Sequence, residues 1–490
     1  MKYLILFMLL VWGDFALSVT LSLQEALKLA REHSSLPEKY LSQRQAFIAQ
    51  GNRANQAFDT RLSFTYQQIE DDGELSSPSN GESRTRFSRE FKASKLLPTG
   101  TYIELGTQWD QQKVRYSVDP ASINPIFAPT YNPEHQVLYG VTIRQSLWKN
   151  LWSRLVKLQQ QVGIDQSITP SYRLEIEQQS RQGLVESYYW QLVALNQQKS
   201  VAEKLVKESR KFVRAMKRRK TIGRADEVDV ASAEAAFVNH EGLLLNIDIH
   251  QTQIQSHLAH LLYGVGHRGQ RIRVPARLPS NPRNQLPYRS ASQALKQLAE
   301  HRLDIKMVRR LQDASHAKID LAEESLKPEL DLFASYHKRG IAGEGDKALE
   351  DADNGDIAIV GLSVTWNIEN KGAEQDRVAA DYERRQWQAE EQVIYNGVAR
   401  ELEVAYKALA GTARQLRLKS NQIQSLTRQR NAEQEKLSQA RSDDVAVFRY
   451  QIEIQMAELE KIDALASKMT YLSQIRTLLH SYPITALVLK

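Results

Sequence analysis

Ala26-Leu27-Lys28 recurs as Ala294-Leu295-Lys296 and His33 recurs as His301, each 268 residues later. The same shift aligns Ser22 with Ser290, Ala46 with Ala314, Leu62 with Leu330 and Phe64 with Leu332. Farther along, Tyr189 and Tyr406, and the turns at Gly223 and Ala440, stand 217 residues apart. The chain therefore reads as two related halves, the first carrying about 51 additional residues between Tyr66 and Tyr189. So long a period indicates one duplicated unit rather than a solenoid of short repeats.

The compartment is set by the first residues. Lys2 precedes an apolar run from Tyr3 to Trp12, and Ala16-Leu17-Ser18 follows, so residues 1–18 read as a secretory signal peptide. Its core is too short to span a bilayer, and no later stretch offers the ~18 consecutive apolar residues of a transmembrane helix. With no cysteine in the chain, disulfides, thiolate metal sites, catalytic thiols and a lipidated cysteine are all excluded, and the mature protein is expected to be exported and not lipidated. The net charge of +7 is modest for 490 residues. Basic and acidic residues interleave without a basic-aromatic cluster, which argues against nucleic acid as a partner. His257 and His260 lack a nearby carboxylate, and neither a nucleophile elbow nor a paired-carboxylate pocket is present. The chain is not read as an enzyme, and no catalytic, cofactor-binding or metal residue is assigned.

Between Leu174 and Lys220 apolar or small residues recur every three or four positions: Tyr188, Leu192, Leu195, Ala202, Val206, Val213 and Met216. That is a coiled-coil seam. A helix over 148–222 would be about 110 Å long, with Pro170 expected to kink it. Gly223 suits the left-handed residue that ends a helix, and Asp226 can cap the next, over 226–263, which is half as long. The linker 265–289 separates this from a helix over 291–326. In the second half, helices at 372–440 and 443–479 repeat the long-and-short device, and a helix over 22–58 opens the first.

The hydrophobic period changes to two at 61–70 and 136–147, and again at 329–338 and 357–368. Tyr139, Val141 and Ile143 share one face, as do Val360, Leu362, Val364 and Trp366. Each segment has about the length of a tilted transmembrane strand, and these residues are the expected lipid-facing positions. A hairpin over 84–111, turning at Leu97-Pro98-Thr99-Gly100, fills most of the additional residues. Trp109, Trp148, Trp152 and Trp366 lie at strand ends, where aromatic girdles occur in outer-membrane barrels. A sheet packed on helices in a soluble protein is the other reading of the same alternation.

Assembled, these pieces resemble the TolC-like outer membrane factor (outer membrane efflux protein) family over nearly all of the mature chain. The opening Leu21-Ser22-Leu23-Gln24-Glu25-Ala26-Leu27, the junctions Leu326-Lys327-Pro328-Glu329-Leu330 and Arg144-Gln145-Ser146-Leu147-Trp148, and the turn Ile222-Gly223-Arg224-Ala225-Asp226-Glu227-Val228-Asp229 carry the resemblance. It implies a mainly α fold with membrane β-structure. A duplicated helix-strand-strand-long helix-helix unit, with repeats at 19–264 and 290–480 and a tail at 481–490, would build a trimeric β-barrel continued by an α-helical periplasmic tunnel. It also implies residence in the bacterial outer membrane, a periplasmic adaptor (membrane fusion) protein, an inner-membrane pump and outer-membrane lipid as partners, and a role in tripartite efflux or type I secretion. A non-pore periplasmic coiled-coil scaffold or adaptor is the alternative. Four strands cannot close a barrel, since the smallest has eight, so three chains with four strands each would supply twelve, the additional hairpin either joining the barrel or standing above it. The two helical turns become the periplasmic gate, with Gly223, Arg224, Asp226 and Asp229 in one and Arg441, Asp443, Asp444 and Arg449 in the other. Where the family places acidic residues in the last helix, this chain has Ala446 and Arg449, which puts an acidic constriction in doubt.

Overall fold

The computed structural model describes residues 20–73, 81–123, 125–264, 272–279, 286–439 and 441–483. The signal peptide expected at 1–18, Ala440 of the second turn, and parts of the linker and tail lie outside the described residues. Helices α1 (Leu23–Glu32) and α2 (Leu36–Asn52) lead into strands β1 (Arg61–Asp71), β2 (Ser83–Leu96) and β3 (Thr101–Arg115). A single turn, α3 (Pro120–Ile123), precedes β4 (Glu134–Ser146), α4 (Arg154–Thr221) and α5 (Glu227–Tyr263). There follow α6 (Ala291–His301), α7 (Leu303–Leu326), β5 (Glu329–Ala342), α8 (Gly345–Asp351), β6 (Asp356–Thr365), α9 (Lys371–Ser438) and α10 (Asp444–Leu478). These elements form two compact units, one from the described parts of 1–42, 170–308 and 390–490, the other from 43–169 and 309–389.

The first unit is a helical bundle. Its core brings Ala26 and Ala30 of α1 together with Val185, Tyr189 and Leu205 of α4, Leu258 and Leu262 of α5, Leu402 of α9, and Leu472 and Ile475 of α10. On the α4 seam Leu192, Ala202 and Met216 are buried. Ser22 caps α1, its hydroxyl accepting from the Glu25 N–H at 3.3 Å, and Ser290 caps α6 in the same way from Gln293 at 3.3 Å. Tyr189 donates its hydroxyl to the Leu21 carbonyl at 2.9 Å, and Tyr406 donates to Tyr288 at 2.8 Å. A segment after α10 is clipped onto α4: Gln179 donates to the Tyr482 carbonyl and accepts from its N–H. The Tyr482 hydroxyl reaches buried Glu186, which also pairs with Arg476.

Several helices depart from the sequence expectation. The helix expected over 22–58 is broken after His33, because Pro37 has no N–H to continue the ladder of α1 yet fits the first turn of α2. The helix expected over 291–326 is broken at Arg302, which is extended (ψ 126°). Its guanidinium holds the Asp304 carboxylate at 2.7 Å and the Leu478 carbonyl at 2.6 Å. The long helix begins at Arg154 rather than 148, because Asn150, Trp152 and Ser153 take left-handed conformations (φ 61°, 56° and 55°). That turn is held by buried Glu324, which accepts from the Asn150 N–H at 3.0 Å, and by Ser153 donating to the Leu97 carbonyl at 3.0 Å. Pro170 lies inside α4, which continues through it.

The second unit is built on one antiparallel sheet in the order β1-β2-β3-β4-β5-β6. The sequence left open whether the additional hairpin joins the sheet; it does, giving six strands. The hairpin expected over 84–111 is β2 and β3, paired with β1 on one side and β4 on the other. Helices α2 and α4 touch in this unit at Gly51 and Gly163, where a Cβ on Gly163 would lie 2.2 Å from the Gly51 Cα.

Candidate membrane sheet and tip turns

Register decides which side chains share a face of the sheet. Leu62 pairs with Ala93, Ala93 with Leu105, Leu105 with Val141, Val141 with Tyr336 and Tyr336 with Ala358. The adjoining row carries Ile103, Ile143, Ala334 and Val360, and Leu332 pairs with Leu362 and Leu330 with Val364. Of the expected lipid-facing residues, Tyr139, Val141, Ile143, Val360, Leu362 and Val364 therefore share one apolar face with Leu62, Phe64 and Phe91. Trp366 lies just beyond the end of β6 at Thr365. Most of these side chains are open, Phe64 being 69% and Val360 76% exposed, while Tyr139 packs against Val137, Ala342 and Ala348 of α8. So much contiguous apolar surface is unusual on a soluble monomer.

The opposite face is polar. There Arg86 pairs with Asp110 at 2.6 Å and Lys92 with Glu90 at 2.5 Å, and the Tyr102 hydroxyl donates to Glu104 at 2.9 Å. Thr142, Arg144, Ser335, His337 and Ser363 continue this face on β4 to β6. Two of its glycines are required by close approach: a Cβ on Gly140 would sit 2.2 Å from the Tyr336 carbonyl oxygen, and one on Gly361 2.6 Å from the Phe333 ring. Glycines opposite an aromatic ring on one face permit a sheet to curve toward that face.

Aromatic and charged residues bound the apolar band. Trp148 and Trp152 follow β4 and Trp366 follows β6, all more than half exposed. Toward the other rim stand Tyr66, Trp109, Tyr139 and Tyr336. There the band ends in polar anchors: Tyr139 donates to Asp353 at 3.1 Å, Lys338 pairs with Asp353 at 3.2 Å and Tyr336 donates to Asp356 at 2.7 Å. From Val364 to Ala358 the band on β6 covers about 20 Å of strand.

The two helical turns belong to the first unit. Gly223 is left-handed (φ 67°), and α4 ends with the run Lys217-Arg218-Arg219-Lys220. Asp226 and Asp229 form a capping box at the start of α5: the Asp226 carboxylate accepts from the Asp229 N–H at 2.8 Å, and Asp229 accepts from the Asp226 N–H at 3.1 Å. These two acids are thus occupied with helix N–H groups. The links between the turns come instead from Arg218 to Asp444 at 3.0 Å and Arg219 to Asp443 at 2.7 Å. Asp443 also caps α10, accepting from Ala446 at 3.2 Å. Arg224 contributes its carbonyl to Arg219. Lys436 and Ser442 hold the Glu433 carboxyl below its usual range by hydrogen bonding. Beneath the turns, Ala215, Met216, Val230, Ala233 and Val445 form a small core. Arg441 and Arg449 are exposed and make no ion pair among the described residues. Sequence reasoning missed Arg218 and Arg219, whose signal was the four-residue basic run at a helix C-terminus.

Among the described residues no helix is long and apolar enough to cross a membrane. No family model and no curated protein matches the chain. Solved structures do share its fold. A membrane protein from Pseudomonas aeruginosa is 14% identical, with a TM-score of 0.66 over 96% of this chain and 94% of that one. The outer-membrane channel OprN is 15% identical, with a TM-score of 0.65 over 94% and 90%. The CmeC outer membrane channel of Campylobacter jejuni is 12% identical, with a TM-score of 0.64 over 96% and 90%.

Proposed function

On the TolC-like outer membrane factor fold that this chain has, we propose that it is the outer-membrane channel component of a tripartite efflux or type I secretion system. In this reading it is a passive duct for small toxic compounds or secreted polypeptides. The sheet carries the proposal. An exposed apolar face running about 20 Å along β6, bordered by aromatic residues and backed by a charged face, suits a strand wall between lipid and water. A bare sheet edge is not tolerated in lipid, so the wall must close, and six strands are fewer than the eight of the smallest barrel. Three copies of a duplicated chain close it in this reading.

Exposed apolar residues on the helices support the same assembly. Val228, Val238, Leu245 and Ile249 mark α5, and Val393, Val404 and Leu418 mark α9, spaced mostly as neighbouring coiled-coil helices require. The tip turns form the gate and the docking end for a periplasmic adaptor and an inner-membrane pump. Exposed pairs such as Arg218–Asp444 contribute about 0–1 kcal/mol each, so a partner can open them cheaply. Arg449, unpaired in α10, would give the gate positive charge. Planar-bilayer recording with the purified protein tests the channel. Discrete conductance steps from a detergent-extracted trimer are expected, and a soluble, non-conducting monomer would overturn the reading.

A further inference from the structure

The sheet has two bare edges, β1 and β6, and the hairpin β2–β3 lies inside it. We propose that the membrane wall is an eighteen-stranded barrel, closed by pairing β6 of each copy with β1 of the next, with the inserted hairpin spanning the membrane as part of that wall. This rests on the trimeric channel reading above, and it answers whether the additional hairpin joins the barrel, which the sequence leaves open.

The hairpin is built like the rest of the wall. β2 pairs along the whole of β1, from Arg61 opposite Ser94 to Asp71 opposite Arg84. β3 pairs with β4 from Thr101 opposite Gln145 to Gln112 opposite Glu134. Phe91, Ile103, Leu105 and Trp109 continue the apolar face, whereas Arg86, Lys92, Glu104 and Asp110 stand on the polar one. A hairpin standing apart in water would break both ladders, expose that apolar row and require β1 to find β4 anew.

The edges also match each other. In a meander of six strands β1 and β6 run in opposite directions, so identical copies set side by side continue the antiparallel alternation. The internal register predicts how far they slip. Followed across the sheet, Arg61 leads to Ser94, Glu104, Thr142, Ser335 and Ile359. Ile359 is six residues short of Thr365, the end of β6 at the rim where β1 begins. A level rim sets Thr365 against Arg61 of the next copy, and each copy then staggers by six residues. Equal stagger and strand number give a tilt of about 35°, as barrels show, and a backbone diameter of about 34 Å, against about 22 Å for twelve strands at that tilt. In this register Ser363 meets Ser63 on the polar face, and Val364, Leu362 and Val360 meet Leu62, Phe64 and Tyr66 on the apolar one. Both faces then continue around the ring, the apolar one bounded on β2 by Arg89, opposite Tyr66 and Trp109, and by Lys95, opposite Ile103, while Arg86, Lys92, Glu104 and Asp110 line the mouth.

The chain has no cysteine, so introduced pairs report neighbours directly. Three double variants would be treated in outer-membrane vesicles with a short thiol-specific cross-linker: Ser63→Cys with Ser363→Cys, Ser63→Cys with Lys92→Cys, and Ser63→Cys with Thr142→Cys. The first should give covalent dimers and trimers in SDS, the second an intrachain link, and the third none. Mass measurement in mild detergent follows each. A trimer in which Ser63 links to Thr142 on β4 and not to Lys92 overturns the eighteen-stranded wall and leaves the channel reading intact. A trimer without the Ser63–Ser363 link overturns the edge closure in this register. A monomeric mass overturns the channel reading itself.

Discussion

Val360→Arg should be the most damaging single charge on the sheet. Val360 lies on the apolar face of β6 opposite Ala334, with Ile143 beyond it, roughly midway between Trp366 at one rim and Asp356 at the other. An arginine at the midplane of an outer-membrane barrel costs about 2–4 kcal/mol, falling to about 0–1 kcal/mol near the interfaces. Val364 shares the face but stands next to the end of β6, about 13 Å nearer the rim along the strand. Val364→Arg should therefore cost about 0–1 kcal/mol. Ile359→Arg tests the face rather than the depth, because Ile359 is opposite Ser335 on the polar side and its charge would project into water. The assay is folding into lipid vesicles followed by urea titration, with the fraction of trimer resistant to mild detergent as a second readout. Equal cost at Val360 and Ile359 would refute the assignment of faces, and equal cost at Val360 and Val364 would refute the assignment of depth.

At the tip, replacing both Arg218 and Arg219 by Ala removes two links between the turns and should raise open probability in planar bilayers by up to about thirtyfold. Arg449→Asp should shift selectivity toward cations, while Arg377→Asp should change it less; reversal potentials in a salt gradient distinguish the two. In the bundle, His480 is held neutral by burial and by the nearby Arg302 guanidinium, its pKa pushed down to about 4, and its Nδ1 accepts from the Leu303 N–H at 3.2 Å. The unfolded chain takes up a proton below pH 6.5 that the folded one refuses. This contribution is complete above that pH and about 3 kcal/mol is lost as pH falls toward 4, a slope that His480→Asn should flatten in denaturant titrations at stepped pH. Gly163→Ala forces a methyl against the Gly51 backbone, and unfolding should show a loss of about 1–3 kcal/mol.

Periodicity carried most of what was legible. Alternation marked the strands because Val360, Leu362 and Val364 have one wet neighbour each, and the tip was marked because Gly223 and Asp226 are chemically suited to stop one helix and start another. Helix breaks at His33 and Arg302 were harder to see. Nothing in the pattern of apolar residues changes there; one depends on a missing N–H at Pro37, the other on Arg302 finding Asp304 and the distant Leu478 carbonyl. The place of the hairpin in the sheet was hidden for a related reason. Comparing the halves exposes an insertion but not which strands it separates, and only pairing of β1 with β2 and β3 with β4 decides that. Asp226 and Asp229 were recognised as tip acids, yet their hydrogen bonds to helix N–H groups leave the inter-turn links to Arg218 and Arg219.

The clip between α4 and Tyr482 has a consequence in time. Gln179 and Tyr482 are separated by 303 residues, an interval of roughly 15–60 s at the usual pace of translation. Throughout it, Gln179, Gln182 and Glu186 are without the groups that later bury them. Completion of the bundle is therefore a late event in the life of each new chain, and premature closure of the early helices would leave the final segment nowhere to dock.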